Sequence, residues 1–125
     1  MTKDTANKLT KRALPPEVRL SVKSGQAKKA EDILVLDLRE LTSFTDFFII
    51  ATGNSSRQNA AIADAIEQDL KQRNRRPLGV EGREPGEWIL MDYGSFVVHV
   101  FSRRAREYYS LEKLWGDAPR VAYAD

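Results

Sequence analysis

The residues best suited to chemistry lie in one short stretch, EWILMDYGSFVVHVF, which runs from Glu87 to Phe101. It contains Trp88, Asp92 and His99, the only histidine of the chain. Together with a serine, an aspartate and a histidine could form a catalytic triad, in which the histidine is the general base and the aspartate orients it. No G-x-S-x-G elbow or comparable nucleophile signal is present. We therefore expect no catalytic residue here, and we expect His99 to be a partly buried histidine with one satisfied nitrogen.

Metal chemistry and phosphoryl transfer have little support in the sequence. The chain has no cysteine, so thiol catalysis, disulfides and cysteine-based metal sites are excluded. Two-metal phosphoryl transfer would need paired acidic residues such as D-x-D. The stretch LDLRE instead places Arg39 two residues after Asp37, and Asp92 stands alone in MDYG. We therefore expect no metal site and no cofactor.

The segment TGNSSR, residues 52–57, follows an apolar run and precedes a helical pattern. A helix N-terminus attracts anions, so this turn resembles a phosphate cradle in outline. It matches neither G-x-x-x-x-G-K-[ST] nor G-x-G-x-x-G. We favour a tight strand-to-helix turn, in which glycine supplies backbone freedom and Ser55 or Ser56 caps the helix. A nucleotide-binding or nucleotidyl-transferring enzyme using this turn stays as the alternative.

Charge divides the 125-residue chain into two parts. Residues 1–30 hold eight Lys/Arg and two Asp/Glu, a net charge of +6, and residues 31–125 hold twelve and sixteen, a net charge of −4. We predict a basic flexible tail over 1–16, one domain over 17–121 and a short C-terminal tail over 122–125. The acidic body argues against a dedicated nucleic-acid surface, although the basic tail could contact phosphates. No apolar run is long enough to span a membrane, and residues 1–15 lack the apolar core of a secretory signal.

Hydrophobic patterning predicts an α/β fold with the element order α-β-β-α-β-β-β-α. The apolar runs ILVLDL and FFIIAT predict two buried strands, 33–38 and 47–52, joined as an antiparallel pair. A helix follows, with its buried stripe at Ile62, Ile66 and Leu70, and LGVEG predicts a strand parallel to the second. A helix over about 17–30 precedes the sheet, and one over about 103–115 ends at Gly116. The architecture is therefore a mixed sheet of about five strands with flanking helices.

Strand alternation assigns the side chains of the hairpin to two faces. The turn is either Gly94-Ser95 or Tyr93-Gly94, and both choices give the same division. Tyr93 falls on the nearly all-apolar face, which is the safer core. Trp88, Asp92 and His99 share the other face. Of the remaining aromatic residues, Tyr108 and Trp115 are predicted to be core, and Trp88 is the best candidate for an exposed partner contact.

Three blocks of the sequence resemble one known family. They are DILVLDLRELTSFTDFFIIATGNSSRQ, PLGVEGREPGEWILMDYGSFVVHVF and YYSLEKLWGDAPRV, in family-like order and spacing over residues 27–121. The chain is therefore identified as a member of the Iojap/RsfS family of ribosomal silencing factors. The resemblance implies a mixed sheet like that of nucleotidyltransferases, without the catalytic acidic pair. It also implies a cytoplasmic translational repressor, not an enzyme, that is active in starvation or stationary phase.

The resemblance further implies a partner and the residues that meet it. The family binds the fourteenth protein of the large ribosomal subunit on the intersubunit face and blocks joining of the small subunit. Members are often homodimers, so a homodimer is expected here too. By the same resemblance the partner-binding residues are Trp88, Asp92, Tyr93, Tyr109 and Glu112. The acidic body fits a basic ribosomal protein as partner.

Overall fold

The computed structural model describes residues 9–124. The predicted tail therefore lies partly outside the described residues, as does Asp125. Within the described part, the chain packs before the predicted domain start at position 17. A 3₁₀ helix spans Lys11–Ala13, and the side chain of Leu14 is only 2% exposed within the main core. At the other end Tyr123 packs against the same core.

The central element is a mixed sheet of six strands rather than about five. The strands lie side by side in the order β3-β4-β5-β2-β1-β6, and only the β2–β5 pair is parallel. Their bounds are β1 Glu31–Asp37, β2 Phe47–Gly53, β3 Gly79–Glu81, β4 Trp88–Asp92, β5 Phe96–Ser102 and β6 Arg120–Ala122. The predicted mixed α/β class is confirmed. The sixth strand was missed because three residues are too few to show a hydrophobic period.

The two predicted inner strands, β1 and β2, form an antiparallel pair as expected. β2 is buried along its whole length because both faces of the sheet are covered there. β3 runs parallel to β2 but lies at the far edge, so the chain crosses over two intervening strands before it returns through the hairpin. The hairpin therefore comes to occupy the space between β3 and β2.

Two helices cover one face of the sheet: α1 Pro16–Ala27 and α2 Ser56–Lys71. Proline suits the first turn of α1 because that turn needs no N–H donor. Ser55 caps α2 by accepting from the Gln58 backbone N–H. The predicted stripe of α2 is confirmed, since its three large aliphatic side chains are at most 1% exposed. None of the helices in residues 9–124 is both long and apolar enough to span a membrane.

The other face carries α3 Arg103–Tyr109 and α4 Leu111–Leu114. The predicted single helix over 103–115 was wrong, because Ser110 adopts a left-handed conformation with φ 48°. This break changes which side chains share a side, so the assignment of Tyr108 to the core was also wrong: it is 80% exposed. Trp115 does pack against the second core, which lies beneath these helices.

The hairpin turn is Gly94-Ser95, the first of the two predicted choices. Asp92 pairs with Val97, and the Tyr93 backbone N–H donates to the carbonyl of Phe96. Gly94 has φ 82°, a conformation that glycine adopts without steric cost. The predicted division into faces follows from this register. Ile89, Met91 and Tyr93 belong to the core beneath α1 and α2, whereas Trp88 and Leu90 belong to the opposite side.

Candidate functional site

A row of aromatic rings crosses the sheet face that carries α3 and α4. Each ring contacts the next, with centroid separations of 5.0, 4.5, 5.9, 4.4, 6.2 and 6.1 Å. The members of this aromatic row are, in order, Tyr108, Tyr109, Trp88, His99, Phe48, Trp115 and Phe44. The middle of the row is buried and both ends reach the surface. The large exposed rings at the two ends, supported by the buried rings between them, are of a type enriched at protein-binding interfaces.

Trp88 is half-buried near the centre of the row. Its indole Nε1–H donates to Nδ1 of His99 at 3.1 Å, so strand β4 is tied to strand β5 through side chains as well as backbone. Because Nδ1 is the acceptor, the neutral imidazole carries its proton on Nε2. Within the described residues Nε2 is buried without a hydrogen-bond partner. The predicted single satisfied nitrogen of His99 is confirmed, but the ring is almost fully buried rather than partly buried.

His99 is 3% exposed, and this burial lowers its pKa to about 3. The cause is desolvation, which penalises the charged imidazolium. The neutral ring is therefore present at physiological pH, and it remains an acceptor for the Trp88 indole. His99 serves the candidate site by positioning Trp88, not by proton transfer.

The exposed ends of the row offer apolar surface to a partner. Tyr109 is 48% exposed and packs against both Trp88 and Phe101. Phe44, in the loop between β1 and β2, is 59% exposed. Sequence reasoning missed Phe44 because a single aromatic residue in the polar segment RELTSFTD carries no period. It also missed Tyr108 as a surface residue, because the helix break at Ser110 has no clear signal in the sequence.

Acidic side chains lie on the same face at the edge of the sheet. Asp92 lies four residues after Trp88 on β4, and alternation places both on one face. Its Oδ1 accepts from the Gly94 backbone N–H at 2.8 Å, which fixes the carboxylate beside the turn. Glu81 of β3 pairs with Leu90, so it joins this face and is exposed. Alternation within LGVEG was the signal that could have identified Glu81.

Two of the predicted partner-binding residues differ from Trp88, Asp92 and Tyr109: Tyr93 is on the opposite face, and Glu112, on α4 of the same face, is engaged within the chain. Tyr93 is 3% exposed and belongs to the core under the opposite face, where burial raises its pKa to about 12. Glu112 is bound within the chain, because its carboxylate accepts from Arg106 Nε at 3.1 Å. Arg106 in turn donates to the carbonyl of Asp32 at 2.5 Å and to Thr52 Oγ1 at 3.0 Å. The structure thus packs Trp88 against Tyr109 and places Asp92 on the same sheet face at the other end of β4. Tyr93 lies on the opposite face, and the Glu112 carboxylate is engaged by Arg106.

The TGNSSR turn uses its polar groups internally. The Asn54 N–H donates to Gln58 Oε1 at 2.6 Å, and Ser55 Oγ accepts from the Gln58 N–H at 3.0 Å. Asn59 is fully buried and donates to the carbonyl of Gly86 at 2.8 Å. These bonds satisfy donors that an anion would otherwise use, which fits the expected strand-to-helix turn. No group of three or more potential metal-ligating side chains occurs in the part of the chain that the structure describes.

The fold and the aromatic row together define a mixed α/β protein with a row of packed rings across one sheet face and exposed rings at both ends. Comparison with known proteins narrows this class. A family model described as "Ribosomal silencing factor during starvation" matches residues 11–125. The chain belongs to this family, as the sequence resemblance predicted.

Individual relatives agree with the family assignment. The chain is 41% identical over 104 residues to "Ribosomal silencing factor RsfS" of Halalkalibacterium halodurans, covering 83% of this chain and 89% of the relative. The Bacillus subtilis protein of the same name is 41% identical over 102 residues, covering 82% and 86%. A crystal structure of a Chromobacterium violaceum protein superposes with a TM-score of 0.78 at 41% identity, covering 80% of this chain and 83% of that one.

Proposed function

We propose that this protein represses translation by binding the large ribosomal subunit and blocking its association with the small subunit. The family description and the names of the relatives support a role in silencing ribosomes. The observation that carries the proposal is the aromatic row. Its exposed end at Tyr109 lies against Trp88, on the same face as Asp92. Binding there requires no catalytic step, and we propose that the protein is not an enzyme.

The proposed partner on the subunit is its fourteenth protein. A ribosomal protein is usually basic, and the body of this chain from residue 31 onward has a net charge of −4. Asp92 and Glu81 place part of this negative charge on the sheet face that carries the aromatic row. Aromatic side chains would supply the buried contact area, and the carboxylates would orient the partner and speed its approach. A protein occupying the intersubunit face excludes the small subunit by volume alone.

A subunit-joining assay tests the proposal. Purified large and small subunits are mixed with increasing amounts of protein and separated on a density gradient. We expect the protein to move with free large subunits and to reduce the amount of joined ribosomes. If joining is unchanged at saturating protein, the proposed function is wrong.

Variants at the face test which residues bind. Tyr109→Ala removes an exposed ring, and we expect affinity for the large subunit to fall by about 2 kcal/mol, roughly 30-fold, as for an interface hot spot. Tyr123→Ala is the matched control, because it truncates a half-buried ring on the other side of the sheet. Thermal melts establish that both variants are folded. Unchanged affinity of a folded Tyr109→Ala variant would remove Tyr109 from the interface.

A charge variant completes the test. Asp92→Asn keeps an oxygen for the Gly94 N–H and removes only the negative charge. We expect slower association with the subunit and a weaker dependence of association on salt. Asp64→Asn, on the outer side of α2, makes the same change in net charge away from the face. Equal effects of the two variants would show that only total charge matters.

A further inference from the structure

A second charged surface lies at the C-terminal end of α2. The segment KQRNRRP, residues 71–77, contains four Lys or Arg residues and no acidic residue. Lys71, Arg73 and Arg76 are exposed, and none of them forms a salt bridge with a described residue. We refer to these three side chains as the basic corner. It stands out because the body of the chain is acidic overall.

The backbone of this segment is held in one conformation. The Arg73 and Arg75 N–H groups both donate to the carbonyl of Leu70, at 2.9 and 3.0 Å, and the Asn74 N–H donates to that of Lys71 at 2.9 Å. Asn74 has φ 61°, the left-handed conformation that commonly ends a helix. A rigid backbone lowers the conformational entropy that binding would otherwise cost.

The remaining arginine of the segment, Arg75, ties it to the rest of the fold. Its Nη2 donates to the carbonyl of Tyr93 at 2.7 Å and to Ser95 Oγ at 3.0 Å, and its Nε lies 3.5 Å from a carboxylate oxygen of Glu17. The guanidinium also lies over the Phe96 ring, 5.6 Å from its centroid. Arg75 therefore has a structural role, which leaves the three residues of the basic corner to face solvent.

Neighbouring carboxylates are already engaged. Glu17 pairs with Arg75, and Glu67, one turn before Lys71, is bound by Arg83. Asp69 accepts a hydrogen bond from Ser24 at 2.5 Å. One cation near a helix C-terminus is explained by the helix dipole. That effect falls off within the last turn, so it does not account for Arg73 and Arg76 beyond the helix.

The basic corner lies at the same end of the sheet as Asp92 and the hairpin turn, although α2 covers the face opposite the aromatic row. The Leu78 N–H donates to the carbonyl of Asp92 at 2.7 Å, so the segment runs directly into the strand beside Asp92. Leu78 itself is 77% exposed. A partner that covers Asp92 therefore has part of its rim at the end of the sheet where the basic corner lies. On a ribosome, the surface around a bound protein is mainly RNA.

We propose that the basic corner contacts the phosphate backbone of ribosomal RNA next to the docked ribosomal protein. This inference rests on the proposed function. Arginine suits such a contact because its planar guanidinium binds two phosphate oxygens at once, and lysine adds a point charge. The contact adds affinity that depends on salt, while the aromatic row and Asp92 select the protein partner.

The salt dependence of subunit binding tests this proposal. The variant Lys71→Glu/Arg73→Glu/Arg76→Glu is compared with Lys23→Glu/Lys28→Glu/Arg57→Glu. The control reverses three exposed cations in α1, just after it and at the opposite end of α2, with the same change in net charge. A neutral variant, Lys71→Gln/Arg73→Gln/Arg76→Gln, guards against misfolding caused by negative charge at the helix C-terminus. Binding to isolated large subunits is measured over a series of salt concentrations.

We expect both corner variants to bind large subunits at least about tenfold more weakly at low salt. We also expect the slope of log affinity against log salt concentration to become less negative by roughly 2 to 3. The control should keep the wild-type slope. Binding to the isolated ribosomal protein should stay within about twofold of wild type, since RNA is absent.

Three results would overturn the inference. An unchanged salt slope in folded corner variants would show that the basic corner makes no phosphate contact. Equal weakening toward the subunit and the isolated ribosomal protein would assign the corner to an acidic region of that protein instead. Failure of the wild-type protein to bind large subunits would refute the proposed function itself, and this inference with it.

Discussion

The burial of His99 predicts that acid destabilises this protein before most of its carboxylates titrate. The imidazole has a pKa of about 3 in the folded chain, against the ordinary value of 6.5. Between these two values the unfolded chain binds a proton that the folded chain does not. Stability is therefore full above about pH 6.5 and is lost as the pH falls from 6.5 toward 3.

The magnitude follows from the same two values. A tenfold change in a protonation equilibrium corresponds to about 1.4 kcal/mol, so a pKa lowered from 6.5 to about 3 corresponds to about 5 kcal/mol in all. Between pH 7 and pH 5 the expected loss is about 2 kcal/mol in the free energy of unfolding, because the unfolded histidine becomes charged over that range. His99 is the only histidine, so other side chains contribute little between these two pH values.

Two measurements check this prediction. In the first, urea unfolding at pH 7 and pH 5 is compared between the wild-type protein and His99→Gln, which does not titrate. The wild-type protein should lose about 2 kcal/mol more than the variant. In the second, the single imidazole is followed by NMR in the folded wild-type protein. We expect no titration down to pH 5, and a midpoint near 6.5 would refute the desolvation argument.

Two further predictions concern stability. Leu14→Ala should lower the free energy of unfolding by about 2–4 kcal/mol, because the Leu14 side chain is only 2% exposed. Chemical denaturation measures this loss. A denaturation curve like that of the wild-type protein would mean that packing does not extend before position 17. Glu112→Ala should cost about 1–3 kcal/mol, because Arg106, whose side chain is 10% exposed, loses its carboxylate partner but keeps Asp32 and Thr52. Glu107→Ala is the matched control on the same pair of helices, and an equal thermal shift in both variants would contradict a special role for the Arg106–Glu112 pair.

Local patterns predicted much of the architecture. The apolar runs of β1 and β2, the stripe of α2 and the faces of the hairpin all follow from periods of 2 or 3.6 residues, and the structure confirms each one. The same alternation placed Trp88, Asp92 and His99 on one face without any knowledge of the sheet order. The order itself, with the hairpin between β3 and β2, depends on pairings between distant segments.

The candidate site shows where local reasoning stops. The break at Ser110 depends on a left-handed backbone conformation, and it separates Tyr108 from Leu111 and Trp115, with which a continuous helix would have shared one side. Tyr108 is exposed. Glu112 was predicted as an acidic partner contact from the family resemblance, yet Arg106 engages its carboxylate across the helix break. Phe44 belongs to the aromatic row because the loop between β1 and β2 packs it against Phe48 and Trp115.

The sequence by itself determined the family, the mixed α/β class, the faces of the hairpin and the structural character of His99. These features depend on residue types and on spacing along the chain, both of which are local. Only the tertiary structure decided which rings form the row and that Trp88 is held by His99. It also decided that three cations at and just after the end of α2, without an ion-pair partner among residues 9–124, lie at the same end of the sheet as Asp92. Those features arise from contacts between residues far apart in sequence, and such contacts exist only once the sheet has formed.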